Sequence, residues 1–397
     1  MTKTTNYSQK IKKLVFESAY KKYWSPLPSQ IEERIIKELG FFDKRESYEE
    51  IYRLMHISKR GASYLQGNSN NVFIFYLLGI TLVNPLPYHV IDKEKQTIKF
   101  VNDNEIKSND GVIGFNLPFE VFEHDFATKN FEFNIYKNCL ATKTYEMTKA
   151  KVKIHPCKLL KRLTNCESNI ISNLSLDNLN KIVYEIFNKN RENSSITKHH
   201  IFTGVESVTF DYLDKVDRNY PINKFQDLVG FISLLKLRNK TNEKFHGYKR
   251  FLFLNREDSY RYFINANYSQ KDALKLTSPI TFSKSDFSKR KLLSSYELNE
   301  RECSELENIY FLVEKSDAII AAILYLSLLI EKFKHPKEFY RSVIYEADKS
   351  DRKLFLDKNY DPFIVYKKLS IEGNKELAFI ALEMFEKNID IKELSIK

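Results

Sequence analysis

The 397-residue sequence is poor in the residues that punctuate a chain, with ten glycines and ten prolines, and it holds four cysteines and a single tryptophan. With so little Gly and Pro, no internal repeat or low-complexity segment stands out. The cysteines, Cys139, Cys157, Cys166 and Cys303, form no C-x-x-C pair. Such scattered spacing argues against a disulfide framework or a cysteine zinc site and reads as reduced thiols. No apolar stretch follows Met1 as a signal peptide would require. The longest apolar runs, Val72 to Val83 and Ala318 to Ile330, are too short to span a bilayer and read as buried core elements. A cytoplasmic protein without membrane partners is the expectation.

What is present points to a folded chain. Hydrophobic residues make up 43% and aromatic residues 14%, and the length suffices for two or three subdomains. The formal charge is +11, with an isoelectric point near 9.1. That excess suits a polyanionic partner, nucleic acid above all, although Lys- and Asn-rich coding with a solvated surface gives the same numbers.

Periodicity predicts helices over 8–39, broken at Pro26-Leu-Pro28, and another helix followed by a turn over 47–66. The second part of the first span has apolar residues at 31, 35, 36 and 39. Residues 88–135 alternate more and predict strands and loops. Ser175 fits the N-cap of a helix to Phe187. Further helices are predicted at 223–236, 297–333, 336–347 and 374–388, with a polar loop from Asn188 to His200.

Several runs then follow one another in a telling order. Ile80-Thr81 leads to Val83-Asn-Pro-Leu-Pro87 and His89. Leu117-Pro-Phe-Glu-Val-Phe122 comes next, then Leu159 to Thr164, Phe225-Gln-Asp-Leu-Val229, Lys332-Phe-Lys-His-Pro-Lys-Glu-Phe-Tyr340 and Ala381-Leu-Glu-Met384. This order resembles the palm and fingers of the PolC-type bacterial DNA polymerase III alpha subunit, whose I-T-x-V-N-P-L-P-P-H is the clearest match. The resemblance implies an α+β fold. A lead-in would occupy residues 1–66, a palm-like mixed sheet with helices 67–187, and a mostly helical fingers-like region 188–397. Nothing resembles that family's thumb, exonuclease or histidinol-phosphatase-like domains.

Polymerases of that family use two metal ions held by carboxylates, D-x-D on one strand and a third Asp on its neighbour. The resemblance places Glu132 and Asn134 on the D-x-D and Lys151 on the third Asp. Asn134 is a poor metal ligand, and an ammonium at Lys151 would repel a divalent ion. Catalysis is therefore expected to be lost, with no cofactor; Mg²⁺ would enter only if the chain were active. The family's Gly/Ser loop for the triphosphate becomes Gln66-Gly-Asn-Ser-Asn-Asn71, retaining Gly67 and Ser69. A fingers motif K-[AS]-H-A reads Lys315-Ser-Asp-Ala318, so Lys315 is either a remnant phosphate contact or a plain surface lysine.

Six basic and no acidic residues lie from Lys149 to Arg162. From Phe231 to Arg256 there are seven basic residues and one acid, Glu243, interleaved with Phe245, Tyr248, Phe251 and Phe253. Lys236, Arg238, Lys240, Lys244, Lys249 and Arg250 are the candidate DNA contacts, by phosphate neutralisation beside base stacking; the aromatics fit a core equally well. The resulting reading is a catalytically inactive polymerase-like protein, of a kind that a mobile element could encode. It would bind DNA or replisome proteins such as clamp loader, clamp, helicase or primase. Two rivals stand beside it. One is a reduced but active polymerase or nucleotidyltransferase with rearranged ligands, Glu132 with Glu120 or Asp125. The other is a basic DNA-binding module without sequence preference.

Overall fold

The computed structural model describes residues 3–59, 63–101, 111–127, 133–137, 152–156, 176–189, 221–240, 252–279, 284–308 and 312–394. Contacts divide the chain into two units. One comprises residues 1–161, 172–179 and 250–321, and the other 162–171, 180–249 and 322–397.

In the first unit, α1 (Lys3–Lys22) and α2 (Ser29–Arg45) are separated at the Pro26–Pro28 segment, and α3 (Tyr48–Lys59) follows. Proline lacks the amide a helix interior needs, so the break falls where the sequence places it. Ile11, Val15 and Ala19 recur every fourth residue, lie buried, and share one apolar core with Ile31, Ile35, Leu39 and Phe42. Ile36, expected on that face, is 58% exposed instead. Glu46 closes α2 in the left-handed region (φ 50°), its N–H returning to the Phe42 and Asp43 carbonyls as a C-terminal cap should.

After β1 (Ser63–Leu65) and a 3-10 turn at Gly67–Asn71, the apolar run from Val72 makes only a short helix, α4 (Phe73–Leu77). Gly79, at φ +69°, lets the chain reverse there, a conformation that costs other residues more. The amides of Ile80 and Thr81 come back to the Phe75 carbonyl. The Asn-Pro-Leu-Pro segment then runs beside residues 115–117. Phe115 donates to Asn84 O at 3.0 Å, Asn116 to Leu86 O at 3.0 Å and Leu117 to Pro85 O at 2.7 Å. Two motifs distant in sequence are thus one structural feature.

β2 (His89–Asp92), β3 (Thr97–Phe100) and β4 (Gly111–Val112) form an antiparallel sheet in the order β3-β2-β4. α5 (Phe119–Ala127) follows. Its Phe119 and Phe122 complete an aromatic cluster with Phe41 and Phe42, ring centroids 5.3 to 6.0 Å apart. β5 (Phe133–Lys137) pairs antiparallel with β1 and parallel with β6 (Val152–Pro156), giving a mixed sheet in the order β1-β5-β6. This unit also holds α8 (Arg256–Asn265), α9 (Gln270–Leu276), α10 (Asp286–Leu293) and α11 (Glu300–Asn308).

Among the described residues, the chain passes into the second unit within α6 (Leu176–Tyr184) and again within α12 (Lys315–Lys334). That unit contains α7 (Phe225–Lys240), α13 (Pro336–Glu346), α14 (Lys349–Phe355), α15 (Pro362–Ile371) and α16 (Lys375–Glu386). Its core encloses an ion pair. The Lys332 ammonium, 0% exposed, lies 2.9 Å from Glu383 Oε1, and burial lowers the lysine's pKa to about 8 despite the carboxylate.

The described residues form a helix-rich α+β chain with two small sheets. Two helix expectations need correction. The predicted helix 297–333 is two helices, because Leu312–Glu314 is non-helical and Val313 bridges Asn255. The helix predicted to reach Phe187 is α-helical only to Tyr184 and continues as a π turn, Glu185–Lys189. Helices α5, α8, α9, α10, α14 and α15 had no counterpart in the periodicity reading, α5 falling within the stretch 88–135 read as strands and loops. Among the described residues, no helix is long and apolar enough to cross a membrane.

Candidate functional site

Four segments of the first unit converge on one charged cluster: the Gly67 turn, the end of α5, the start of α8 and the approach to α12. Asn255 begins α8, its side chain accepting the Asp258 amide at 2.9 Å, a cap that satisfies an otherwise orphaned donor. The Arg256 amide donates to Val313 O at 2.9 Å. That bond holds the extended residues before α12 against α8 and brings Glu257, Asp258, Glu314 and Lys315 together.

At the centre is Arg256, 1% exposed. Its guanidinium grips Asp125 with Nη1 at 2.5 Å and Nη2 at 2.8 Å, a paired geometry that lysine cannot supply. Nη1 also lies 3.3 Å from Glu314 Oε1. Asp125 further accepts from Asn68 Nδ2 at 2.6 Å, which ties the Gly67 turn to the same carboxylate. Burial works against the Arg256 charge, but Glu314 and Asp125 overcome it and its pKa rises.

The Gly67 turn meets the first turn of α12 directly. Its amide donates to Asp317 Oδ1 at 2.6 Å, and Ser316 Oγ donates to the Gly67 carbonyl at 2.9 Å. Lys315 does not reach outward: its ammonium sits 2.9 Å from Asp258 Oδ1, which Arg261 also pairs. Burial opposes the Asp258 charge, yet Lys315 and Arg261 hold its carboxyl well below the usual range. Glu257, 0% exposed, accepts the Lys315 amide at 2.6 Å. Burial raises the pKa of Glu257 and pushes Glu314 up to about 8.

A second buried carboxylate organises the far side of the turn. Glu38, 0% exposed, accepts the Phe73 and Ile74 amides at 2.9 Å each and Arg34 Nε at 2.6 Å. It thereby supplies acceptors to two otherwise orphaned amides at the start of α4, while its burial raises its own pKa.

The sequence candidates fall as follows. Gly67 is in the turn with its amide engaged, Ser69 is 2% exposed, and Lys315 is ion-paired. Asn134 lies on β5 in register with Lys153 of β6, so the two segments that the sequence resemblance assigned to metal-binding strands are neighbours. Glu132 and Lys151 lie outside the described residues, as do Lys244, Lys249 and Arg250. Lys236, Arg238 and Lys240 are positions on α7. Of the interleaved aromatics, Phe253 is core, 0% exposed, and stacks on Phe263 at 5.3 Å; Phe245, Tyr248 and Phe251 are outside the described residues. Arg256, the last member of that basic run, is buried rather than presented to a partner. Glu120, considered as a rearranged ligand, pairs with Lys37 at 2.5 Å, and Asp125 with Arg256. Among the described residues, no group of three or more His, Cys, Asp or Glu is arranged to hold a metal ion.

The Arg256 hub was missed from sequence. The signal that could have found it is Asn255-Arg-Glu-Asp258, an N-cap residue with acids in the first turn.

No family model matches the chain. Over 100 residues it is 38% identical to the PolC-type DNA polymerase III of Mycoplasmopsis pulmonis, a match covering 24% of this chain and 7% of that protein. Over 126 residues it is 36% identical to the Streptococcus suis protein of the same description and 30% identical to that of Streptococcus mutans, each match covering 29% of this chain and 8% of the relative. The chain therefore carries a region similar to PolC-type DNA polymerase III over about a quarter of its length, and its matches span less than a tenth of those relatives.

Proposed function

We propose that this chain is a catalytically silent PolC-like protein that acts in DNA replication by binding DNA or replisome proteins rather than by adding nucleotides. The observation that carries the reading is the inward turn of its phosphate-facing groups. The Gly67 amide goes to Asp317, and the Lys315 ammonium goes to Asp258. A triphosphate approaching that turn would have to displace a carboxylate from an amide and overcome its negative charge. In the fingers motif that this segment resembles, that position is a histidine, so the change would replace a group compatible with phosphate by one that repels it.

The metal side supports the same reading. With Asn134 and Lys151 at two of the three carboxylate positions, one ligand of the expected three remains, Glu132. Asp125 and Glu120, the carboxylates that could have substituted, are engaged by Arg256 and Lys37. The net charge of +11 favours DNA as the first partner, through phosphate neutralisation. A mobile-element origin is part of this proposal, and such a protein could divert or inhibit host replication.

Fluorescence anisotropy with a labelled primer-template tests the binding half. Affinity should fall steeply and linearly on a log–log plot as salt rises. Undetectable binding at low salt would exclude DNA, leaving replisome proteins recovered in a nuclease-treated pull-down as the remaining support.

A further inference from the structure

Helix α10 of the first unit carries three adjacent cations, Lys289, Arg290 and Lys291, against one acid, Asp286. Ser285 caps the helix, its side chain accepting the Ser288 amide, and one face docks it. Leu293 is 1% exposed, and Lys289, a turn earlier, is 2% exposed. The Lys289 ammonium donates to the Glu307 carbonyl at 3.1 Å, in the last turn of α11, where a cation is favoured. One of the three cations is thereby spent on holding the helix in place.

The other face follows from helical geometry. Positions three and four apart lie side by side, with Cβ atoms about 5–6 Å apart, so Phe287 has Arg290 and Lys291 as neighbours. Phe287 is 78% exposed and the Arg290 side chain 71%. Lys291 is exposed too, as is Lys284 just ahead of the cap. Glu307 Oε1 lies 3.9 Å from Arg290 Nε, a long and solvated pair that leaves the guanidinium able to change partners.

A single exposed ring needs no explanation by itself; what distinguishes Phe287 is its company. Cations call for a polyanion, and a bare ring between them calls for one that offers flat apolar faces. Single-stranded nucleic acid has both, phosphates along its backbone and unpaired bases free to stack on an aromatic side chain. A duplex keeps its bases stacked on one another, and an acidic peptide has carboxylates but no repeated flat faces. We propose that the outer face of α10 is a contact for single-stranded DNA: a base lies on the Phe287 ring, Arg290 and Lys291 neutralise the neighbouring phosphates, and Lys284 extends the basic track. The choice of DNA rests on the reading that this chain acts in DNA replication. The contact lies outside the basic run 231–256 that the sequence singled out.

Fluorescence anisotropy of the full chain with a labelled oligothymidylate, and with a labelled duplex of the same length, tests this. Phe287→Ala removes a solvent-exposed ring and should weaken oligothymidylate binding about tenfold, while duplex affinity is unchanged. Phe287→Trp keeps a stacking surface and should bind at least as tightly as the unaltered chain. Arg290→Ala combined with Lys291→Ala should flatten the fall of log affinity with log salt by about 1.4 on the single strand, since each phosphate contact contributes about 0.7. Phe287→Ala should leave that slope as it is. A Phe287→Ala chain that binds oligothymidylate as tightly as the unaltered one, or that loses affinity for both DNAs alike, would overturn the proposal while leaving DNA binding in place. An unchanged salt slope in the double variant would also overturn it. Failure of the unaltered chain to bind either DNA at low salt would overturn it together with the DNA half of the proposed function.

Discussion

At the scale of single residues, Arg256 and Asp125 show how a charge can be read as surface chemistry and turn out to be architecture. Arg256 closes a run of seven basic residues, yet it is 1% exposed and held by two short bonds. Asp125→Asn would leave that buried guanidinium with Glu314 alone and should destabilise the first unit by about 3–5 kcal/mol in urea unfolding. Lys37→Ala, which removes the partly exposed partner of Glu120, should cost about 1 kcal/mol or less. His89 gives the pH dependence on the acid side. It is buried, with Nδ1 2.8 Å from Pro87 O and Tyr23 Oη 3.4 Å from Nε2, and burial lowers its pKa. The unfolded chain then takes up the proton first, so stability falls as pH drops below about 6.5. His89→Phe should lessen the loss of urea midpoint between pH 7 and pH 5; an undiminished loss would assign it to other groups. None of these pairings was legible in the sequence, because ion partners 131 residues apart, as Asp125 and Arg256 are, leave no local pattern.

At the scale of elements, what could be read was what is local. The break at Pro26-Leu-Pro28, the start of α13 at Pro336 and the span of α16 followed from proline chemistry and 3.6-residue periodicity. The single helix drawn over 297–333 failed because its apolar spacing continues through residues that a tertiary bridge from Val313 to Asn255 holds extended. The short helices α9 and α14, seven residues each, are too brief for periodicity to register. The segment Val83 to His89 resembled the family's motif in sequence, but its structural reason was not legible. Residues 84–86 are bonded through their carbonyls to 115–117, and Gly114 lies so close that a Cβ there would sit 2.0 Å from Leu86 O. Gly114→Ala must therefore push two backbones apart, and a loss of at least about 1 kcal/mol is expected. An unchanged thermal midpoint would mean that this loop yields freely.

At the scale of the whole chain, similarity to PolC-type DNA polymerase III covers about a quarter of the sequence, and the rest must be argued from chemistry. β5 lies beside β6, with Asn134 in register with Lys153; in the reading proposed above these are the strands that would carry a polymerase's metal ligands. The Gly67 turn, proposed above as the remnant of a triphosphate loop, is held by the chain's own Asp317. A scaffold of this kind can retain affinity for DNA after losing the groups that make bonds, because phosphate neutralisation needs only positive charge whereas nucleotide transfer needs placed carboxylates and metal. The most direct test is primer extension on a primed template that the protein has been shown to bind, with all four deoxynucleotides and Mg²⁺ or Mn²⁺. The account predicts no added nucleotide with either ion. Extension that disappears in Glu132→Ala would contradict it and restore the chain to the working polymerases.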